Sequence, residues 1–172
     1  MSNTRNIRRA AVPIAAAAVL TLSGCAASAS GAPEVQPVNI AAQALPSAQE
    51  IQALFLDWNR ALATLDPQKV ADRYAPDALL LPTVSNQVRT NRAEIVDYFQ
   101  HFLEDKPQGE ILRSNVRLPD SNTAVDAGTY RFTLTKDGTQ STVDARYTFV
   151  YERMDRKWLI VEHHSSAMPE KD

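Results

Sequence analysis

The sequence predicts an α+β domain in which the helices come first and pack on one face of a curved antiparallel sheet. Helical apolar spacing with capping residues runs from residue 47 to about 104, and four β-like runs follow Pro107. Because helices and strands occupy separate parts of the chain, a layer of helices on one sheet is favoured over alternating parallel units.

The first predicted helix begins with a capping box. Ser47 and Glu50 have the S-x-x-E spacing in which the two side chains satisfy free amides at a helix start. An apolar stripe at helical spacing then follows, made of Ile51, Leu54, Phe55, Trp58, Ala61, Leu62 and Leu65.

Two more helices are predicted after this one. Asp66 is an N-cap with proline at the first helical position, and it opens a short helix to about Tyr74. Asn91 and Glu94 form a second capping pair, and apolar spacing continues to about Glu104. Between these helices, "DALLLPTVSNQVRT" predicts two short strands around a turn.

The second half of the chain predicts a meander of long strands. The four runs are Gly109–Leu118, Thr123–Thr135, Ser141–Arg153 and Lys157–Ser166. Asp137-Gly138 is the strongest hairpin signal between them. Apolar residues occur on both faces of the last two strands, and three helices cover only one face. We therefore expect a second copy of the chain to cover the other face, as a homodimer or larger.

The N-terminal segment has the pattern of an export signal. Arginines 5, 8 and 9 precede an apolar run over residues 10–22, which is too short to span a membrane. We predict a signal peptide over residues 1–24, a small and proline-bearing tether over 25–46, one domain over 47–169 and a tail over 170–172.

Cys25 is the single cysteine of the chain and follows Leu22-Ser23-Gly24. This stretch resembles the lipobox of bacterial lipoproteins, which implies lipidation at Cys25 and an anchor in the cell envelope. Ala26 lacks the aspartate typical of inner-membrane retention, so the outer membrane is favoured in a Gram-negative host. The alternative is an ordinary signal peptide with a chance cysteine.

The charge of the chain bears on its partners. Removal of the three signal arginines takes the formal charge from −2 to −5. An acidic domain without basic runs argues against nucleic acid as a partner. Contact with a membrane is expected through the lipid alone.

Three stretches together indicate a protein family: "WNRALATLDPQKVADRYAPDALLLPT", "IVDYFQHFL" and "ARYTFVYERMDRKWLIVEHHSSAMP". They resemble the nuclear transport factor 2-like superfamily, and most of all bacterial relatives of the calcium/calmodulin-dependent protein kinase II association domain. The resemblance implies a cone-shaped fold and, on successive strands, arginines that hold small carboxylates. Arg131 and Arg146 match two of these, whereas Ser165 stands near the place of the third.

The stretch "EHHSS" near the C-terminus raises the question of a site. Adjacent residues of a strand point to opposite faces, so His163 and His164 do not chelate one metal ion and no metal site is expected. Strict alternation places His163 and Ser165 on the face of Leu159 and Val161.

We therefore predict a pocket for a small polar or anionic organic ligand, formed by Arg131, Arg146, His163 and Ser165. Structural salt bridges are the alternative for the arginines, and a polar strand end is the alternative for the other two residues.

Two other functions stay open. One is a cofactor-free isomerase or dehydratase, for which the candidate groups are Asp57, Tyr74, Tyr98, Asp144 and His163. The other is a pure self-association module. The chain has no G-x-S-x-G elbow, phosphate loop or dinucleotide fingerprint, and no cofactor is expected.

Overall fold

The computed structural model describes residues 44–170. The predicted signal peptide, most of the tether and Cys25 lie outside these residues. The described elements are α1 Ala48–Ala63, α2 Pro67–Ala71, β1 Tyr74–Leu81, α3 Arg92–Phe102, a 3₁₀ turn Leu103–Asp105, β2 Gln108–Arg117, β3 Thr123–Lys136, β4 Thr139–Met154 and β5 Lys157–Ala167.

The three helices begin at the predicted caps. The Ser47 hydroxyl accepts from the Glu50 amide at 3.1 Å, and the Asn91 side chain accepts from the Glu94 amide at 3.1 Å. The Asp66 carboxylate accepts from the Gln68 amide at 2.9 Å. These bonds satisfy amides that have no partner inside the helix, so the chain enters each helix at a defined residue.

The five strands form one sheet in the order β1-β5-β4-β3-β2. All neighbours are antiparallel except β1 and β5, which run parallel. The α+β prediction is confirmed, with one correction. The second of the two short strands predicted between the helices is reduced to a single bridge between Leu80 and Arg89. Turns and bends occupy residues 82–88, so the two runs pair only where Leu80 meets Arg89.

The core lies between the helices and one face of the sheet. On β4 the odd-numbered residues from Ala145 to Tyr151 are buried, as the alternation predicts, whereas Val143 is 41% exposed. From α1, Phe55 and Trp58 pack on this face and are each 1% exposed. We call this the inner face, and the opposite side of the sheet the outer face.

A bulge in β5 changes the predicted alternation. Tyr151 pairs with Ile160, but the neighbouring Val150 pairs with Glu162, so Val161 is an extra residue in the strand. Ile160 and His163 therefore lie together on the inner face. The expectation that they lie on opposite faces is wrong, because a bulge shifts the period of the strand by one residue.

The outer face carries half-buried apolar residues surrounded by charges. Val125 pairs with Val150 across β3 and β4, and Leu159 of β5 pairs with Glu152, two residues farther along β4. Arg131 and Arg146 lie farther along the same face. Cover by a second copy stays a prediction. None of the described helices is long and apolar enough to cross a membrane.

At Gly128 of β3, the backbone of the neighbouring strand β2 comes close. The register of β2 against β3 shifts between Ile111 and Arg113, and a Cβ at Gly128 would lie 1.8 Å from the Arg113 carbonyl oxygen. We expect Gly128→Ala to reduce the free energy of unfolding by more than about 3 kcal/mol, because backbone must move. Urea denaturation measures this loss.

Gly138→Ala is the matched control. Gly138 has φ +78° in the β3–β4 turn and has no atom within 4 Å of the added Cβ. The substitution therefore adds only left-handed strain, about 1–2 kcal/mol. Equal losses in the two variants would contradict the close approach at Gly128.

Candidate ligand-binding cavity

A cavity of about 170 Å³ opens between α3 and the inner face of the sheet. Its walls are mostly apolar and aromatic, and they include Leu80, Phe99, Phe102, Phe132, Leu134 and Ala145. The polar side chains on its lining include His163, Asp105 and a group of hydroxyl residues around Ser165. A mainly apolar space with a few placed polar groups is the usual form of a small-molecule site.

His163 is held by a chain of hydrogen bonds from α1 to β5. Trp58 Nε1 donates to the Tyr74 hydroxyl at 3.1 Å, and that hydroxyl lies 2.9 Å from His163 Nδ1. The imidazole also stacks on Phe149, with ring centroids 4.0 Å apart. The ring is 4% exposed, and its Nε2 is buried without a partner among the described residues.

Ser165 is the centre of a second polar group. Its hydroxyl accepts from the Tyr130 hydroxyl at 2.5 Å and contacts the Thr83 hydroxyl. All three residues line the cavity. Because these hydroxyls bond to one another, they form a polar patch whose main hydrogen-bonding needs are met within the protein.

Burial keeps the groups of this site uncharged. It lowers the pKa of His163 to about 3, with a smaller contribution from the charge of His164. Burial also raises the pKa of Tyr74 far above its ordinary value and that of Tyr98 to about 12. At neutral pH the imidazole and both phenols are therefore neutral.

The structure separates the four residues predicted to form the pocket. His163 and Ser165 line the cavity, but Arg131 and Arg146 lie on the outer face. Arg131 donates to both oxygens of Asp144 at 2.7 Å, and Arg146 Nε donates to the Ser166 hydroxyl at 3.2 Å. The expected convergence is therefore wrong. Residue 146 lies between the inner-face residues 145 and 147 of β4, so the alternation of the strand places it on the outer face.

The other candidate residues also separate. Asp57 pairs with Arg60 on the exposed side of α1, and Asp144 pairs with Arg131. Tyr98 lines the cavity from α3, whereas Tyr74 lies behind His163 and does not.

Sequence reasoning missed the cavity's other polar residues. From the sequence, Tyr130 is one of several aromatic residues of a predicted strand. Thr83 follows β1 in a loop whose position no sequence pattern predicts. A buried acid was also missed: Asp126, fully buried, accepts from Ser114 at 2.7 Å and from Tyr147 at 3.2 Å. This group does not line the cavity.

Within residues 44–170, no three His, Cys, Asp or Glu side chains come together as a metal site requires. Asp105 is the one carboxylate on the described lining of the cavity, and it lies 3.6 Å from Lys136 Nζ. The lining is thus poor in groups that bind a metal ion or an anion.

Comparison with solved structures identifies the fold. A protein from Xanthomonas campestris, assigned as a calcium/calmodulin dependent protein kinase II association domain, is 60% identical with a TM-score of 0.72, covering 76% of this chain and 96% of that chain. A nuclear transport factor 2-like protein from Salmonella enterica has 16% identity and a TM-score of 0.61, covering 72% and 92%.

A protein from Streptomyces avermitilis, assigned as a dehydratase of the same superfamily, has 14% identity and a TM-score of 0.63, covering 71% and 96%. At such low identity these last two likenesses show the fold alone. No curated protein matches the chain.

The fold and the cavity under the helices define a nuclear transport factor 2-like protein. Residues 47–169 match the calcium/calmodulin dependent protein kinase II association domain family, and the chain belongs to that family.

The neutral His163 predicts a pH dependence of stability. An unfolded histidine takes up a proton below its ordinary pKa of about 6.5, whereas the folded one stays neutral down to about 3. The unfolded state therefore binds more protons in this window, and stability falls as the pH falls. We expect His163 to contribute a loss of about 2 kcal/mol between pH 7 and pH 5.

Urea denaturation at both pH values measures this loss in the wild type and in His163→Asn, which does not titrate. Its loss over the same interval should be smaller by about 2 kcal/mol. The exposed neighbour supplies the control: His164→Gln should keep most of the wild-type dependence. An unchanged pH dependence in His163→Asn would contradict the buried neutral imidazole.

Proposed function

We propose that this protein binds a small, mainly apolar organic molecule in the cavity under its helices. The observation that carries the proposal is the lining: aromatic and aliphatic walls around about 170 Å³, with a few polar side chains. An engineered apolar cavity of roughly 150 Å³ binds benzene, so the space suits a molecule with one ring.

The ligand expected from the sequence was polar or anionic, and the geometry favours a less polar one. Arg131 and Arg146, which were to hold its charge, lie on the other face of the sheet. The charged group on the described lining is the carboxylate of Asp105, which pairs with Lys136, and no arginine or lysine lines the cavity to hold an anion.

The enzyme alternative has weaker support than binding. General acid–base catalysis works best with a group whose pKa lies near the working pH. His163 has a pKa of about 3, and burial holds the pKa of the Tyr130 phenol far above 10. The fully buried Asp126 lies away from the cavity lining, so it does not reach a molecule bound there.

The proposal extends to self-association and to the cell envelope. Membership of an association-domain family supports association between copies, and the half-buried Val125, Val150 and Leu159 offer an apolar centre on the outer face. The Leu22-Ser23-Gly24-Cys25 pattern supports export and a lipid anchor at Cys25. The cavity opens on the inner side, so binding and association use different faces.

Binding is tested with toluene and benzoate. We expect toluene to bind and raise the melting temperature, and benzoate to bind at least about tenfold more weakly because its charge loses hydration without a cationic partner. Ala145→Leu, which fills the cavity from β4, should abolish toluene binding.

The control for this test is Ala63→Leu, which adds the same group at an exposed position of α1. Toluene binding should be unchanged in that variant. Binding by Ala145→Leu equal to that of the wild type, or tighter binding of benzoate than of toluene, would contradict the proposed site.

Association is tested by placing a charge on the outer face. Val150→Arg should weaken self-association at least about tenfold, because a guanidinium at the interface loses hydration without a partner. Val88→Arg, in the exposed loop after β1, is the charge-matched control and should associate as the wild type does. Sedimentation velocity measures both, and an unchanged oligomer in Val150→Arg would rule out this face.

A further inference from the structure

The direction of each hydrogen bond behind the cavity follows from the chemistry of its atoms. Trp58 Nε1 only donates, so the Tyr74 hydroxyl is the acceptor of that 3.1 Å bond. Within the described residues, this hydroxyl has one other partner, His163 Nδ1 at 2.9 Å. Tyr74 is 5% exposed, and a buried O–H without an acceptor costs about 1–3 kcal/mol. The tyrosine therefore donates to Nδ1.

This direction fixes the state of the imidazole. A neutral histidine carries one N–H, and Nδ1 here is an acceptor, so the proton is on Nε2. Nε2 is the buried ring nitrogen that has no partner among the described residues. His163 lines the cavity and Tyr74, which holds the Nδ1 side, does not. The ring edge formed by Nε2 and Cδ2 is opposite Nδ1, so it lies on the side of the ring away from Tyr74.

Three hydroxyls of the lining, those of Tyr130, Ser165 and Thr83, are already engaged. The Tyr130 hydroxyl donates to Ser165, and Ser165 contacts Thr83. An incoming molecule meets a patch whose hydroxyls bond to one another, and beside it a buried N–H without an acceptor. Two buried polar atoms of lining residues have no hydrogen-bond partner among the described residues: His163 Nε2, which is an uncharged donor, and Asp105 Oδ1, which lies 3.6 Å from Lys136 Nζ. The unmet donor is therefore His163 Nε2–H.

We propose that His163 Nε2–H donates a hydrogen bond to an uncharged acceptor, such as a carbonyl or ether oxygen, on the ring-sized molecule that the cavity binds. This inference rests on the proposed function and names its ligand class. The cavity then selects cyclic ketones and related acceptors over hydrocarbons of the same shape, because only the acceptor satisfies the buried donor.

Cyclohexanone and methylenecyclohexane are the probes, since they differ only by a carbonyl oxygen in place of a methylene group. Both are titrated into the purified protein and followed by heteronuclear NMR. Each affinity is compared with the partition of that probe between water and alkane, which removes the difference in hydration. On that corrected scale we expect the ketone to be favoured about tenfold.

His163→Phe keeps an aromatic wall and removes the donor, so the corrected preference should disappear. His163→Asn is a second variant: its shorter amide stays near Tyr74 and does not reach the cavity, and it should lose the preference too. His164→Gln, on the outer face, should keep it.

The outcomes separate the two proposals. Binding of both probes without a corrected preference would overturn this inference and leave the proposed cavity function standing. A preference that survives in His163→Phe or His163→Asn would place the donor elsewhere and also overturn it. Binding of neither probe would overturn the proposed function, and this inference with it.

Discussion

The hydrogen-bonded chain Trp58–Tyr74–His163 is the interaction on which the rest of the structure depends. It joins α1, the start of β1 and the end of β5, three elements that are far apart in the sequence. Trp58 also contacts the rings of Phe99 and Phe149, so the same residue ties the helices to the sheet. Because Trp58 Nε1, the Tyr74 hydroxyl and His163 Nδ1 are buried, these two hydrogen bonds meet needs that water does not meet there.

The same hydrogen bonds also explain why the core contains a cavity with a polar group in its wall. Stacking on Phe149 and bonding to Tyr74 fix the His163 ring at the cavity wall. Small residues at neighbouring inner-face positions, Ala145 and Ser165, leave the space beside it unfilled. An apolar cavity in a core normally costs stability, about 1 kcal/mol or more for a void of methyl size. Its retention beside an unmet donor is consistent with a ligand site.

Much of the fold was predictable because local signals acted alone. The caps at Ser47, Asp66 and Asn91 satisfy helix amides within four residues, and Asp137-Gly138 sets its hairpin within two. The site was less predictable because it depends on register. The extra residue at Val161 reverses the alternation between inner and outer faces after Ile160. No local sequence pattern predicts this bulge.

The arginines illustrate the same limit of sequence reasoning. Arg131 and Asp144 are opposite each other on adjacent strands, and their ion pair on the outer face depends on a register that only the folded sheet defines. Thr83 and Tyr130 reach Ser165 from distant parts of the chain. His163 and Ser165 were identified because they follow a strand-like run, but their partners could be found only in three dimensions.

The Tyr74 hydroxyl holds His163 as a neutral ring protonated on Nε2. Nitrogen-15 NMR of the histidine side chains at pH 7 measures this directly, since protonated and unprotonated ring nitrogens have well-separated shifts. His163→Asn assigns the signals by their loss. We expect an unprotonated Nδ1 and a protonated Nε2 that stay unchanged down to pH 5. A proton on Nδ1, or a ring that becomes doubly protonated in that range, would contradict it.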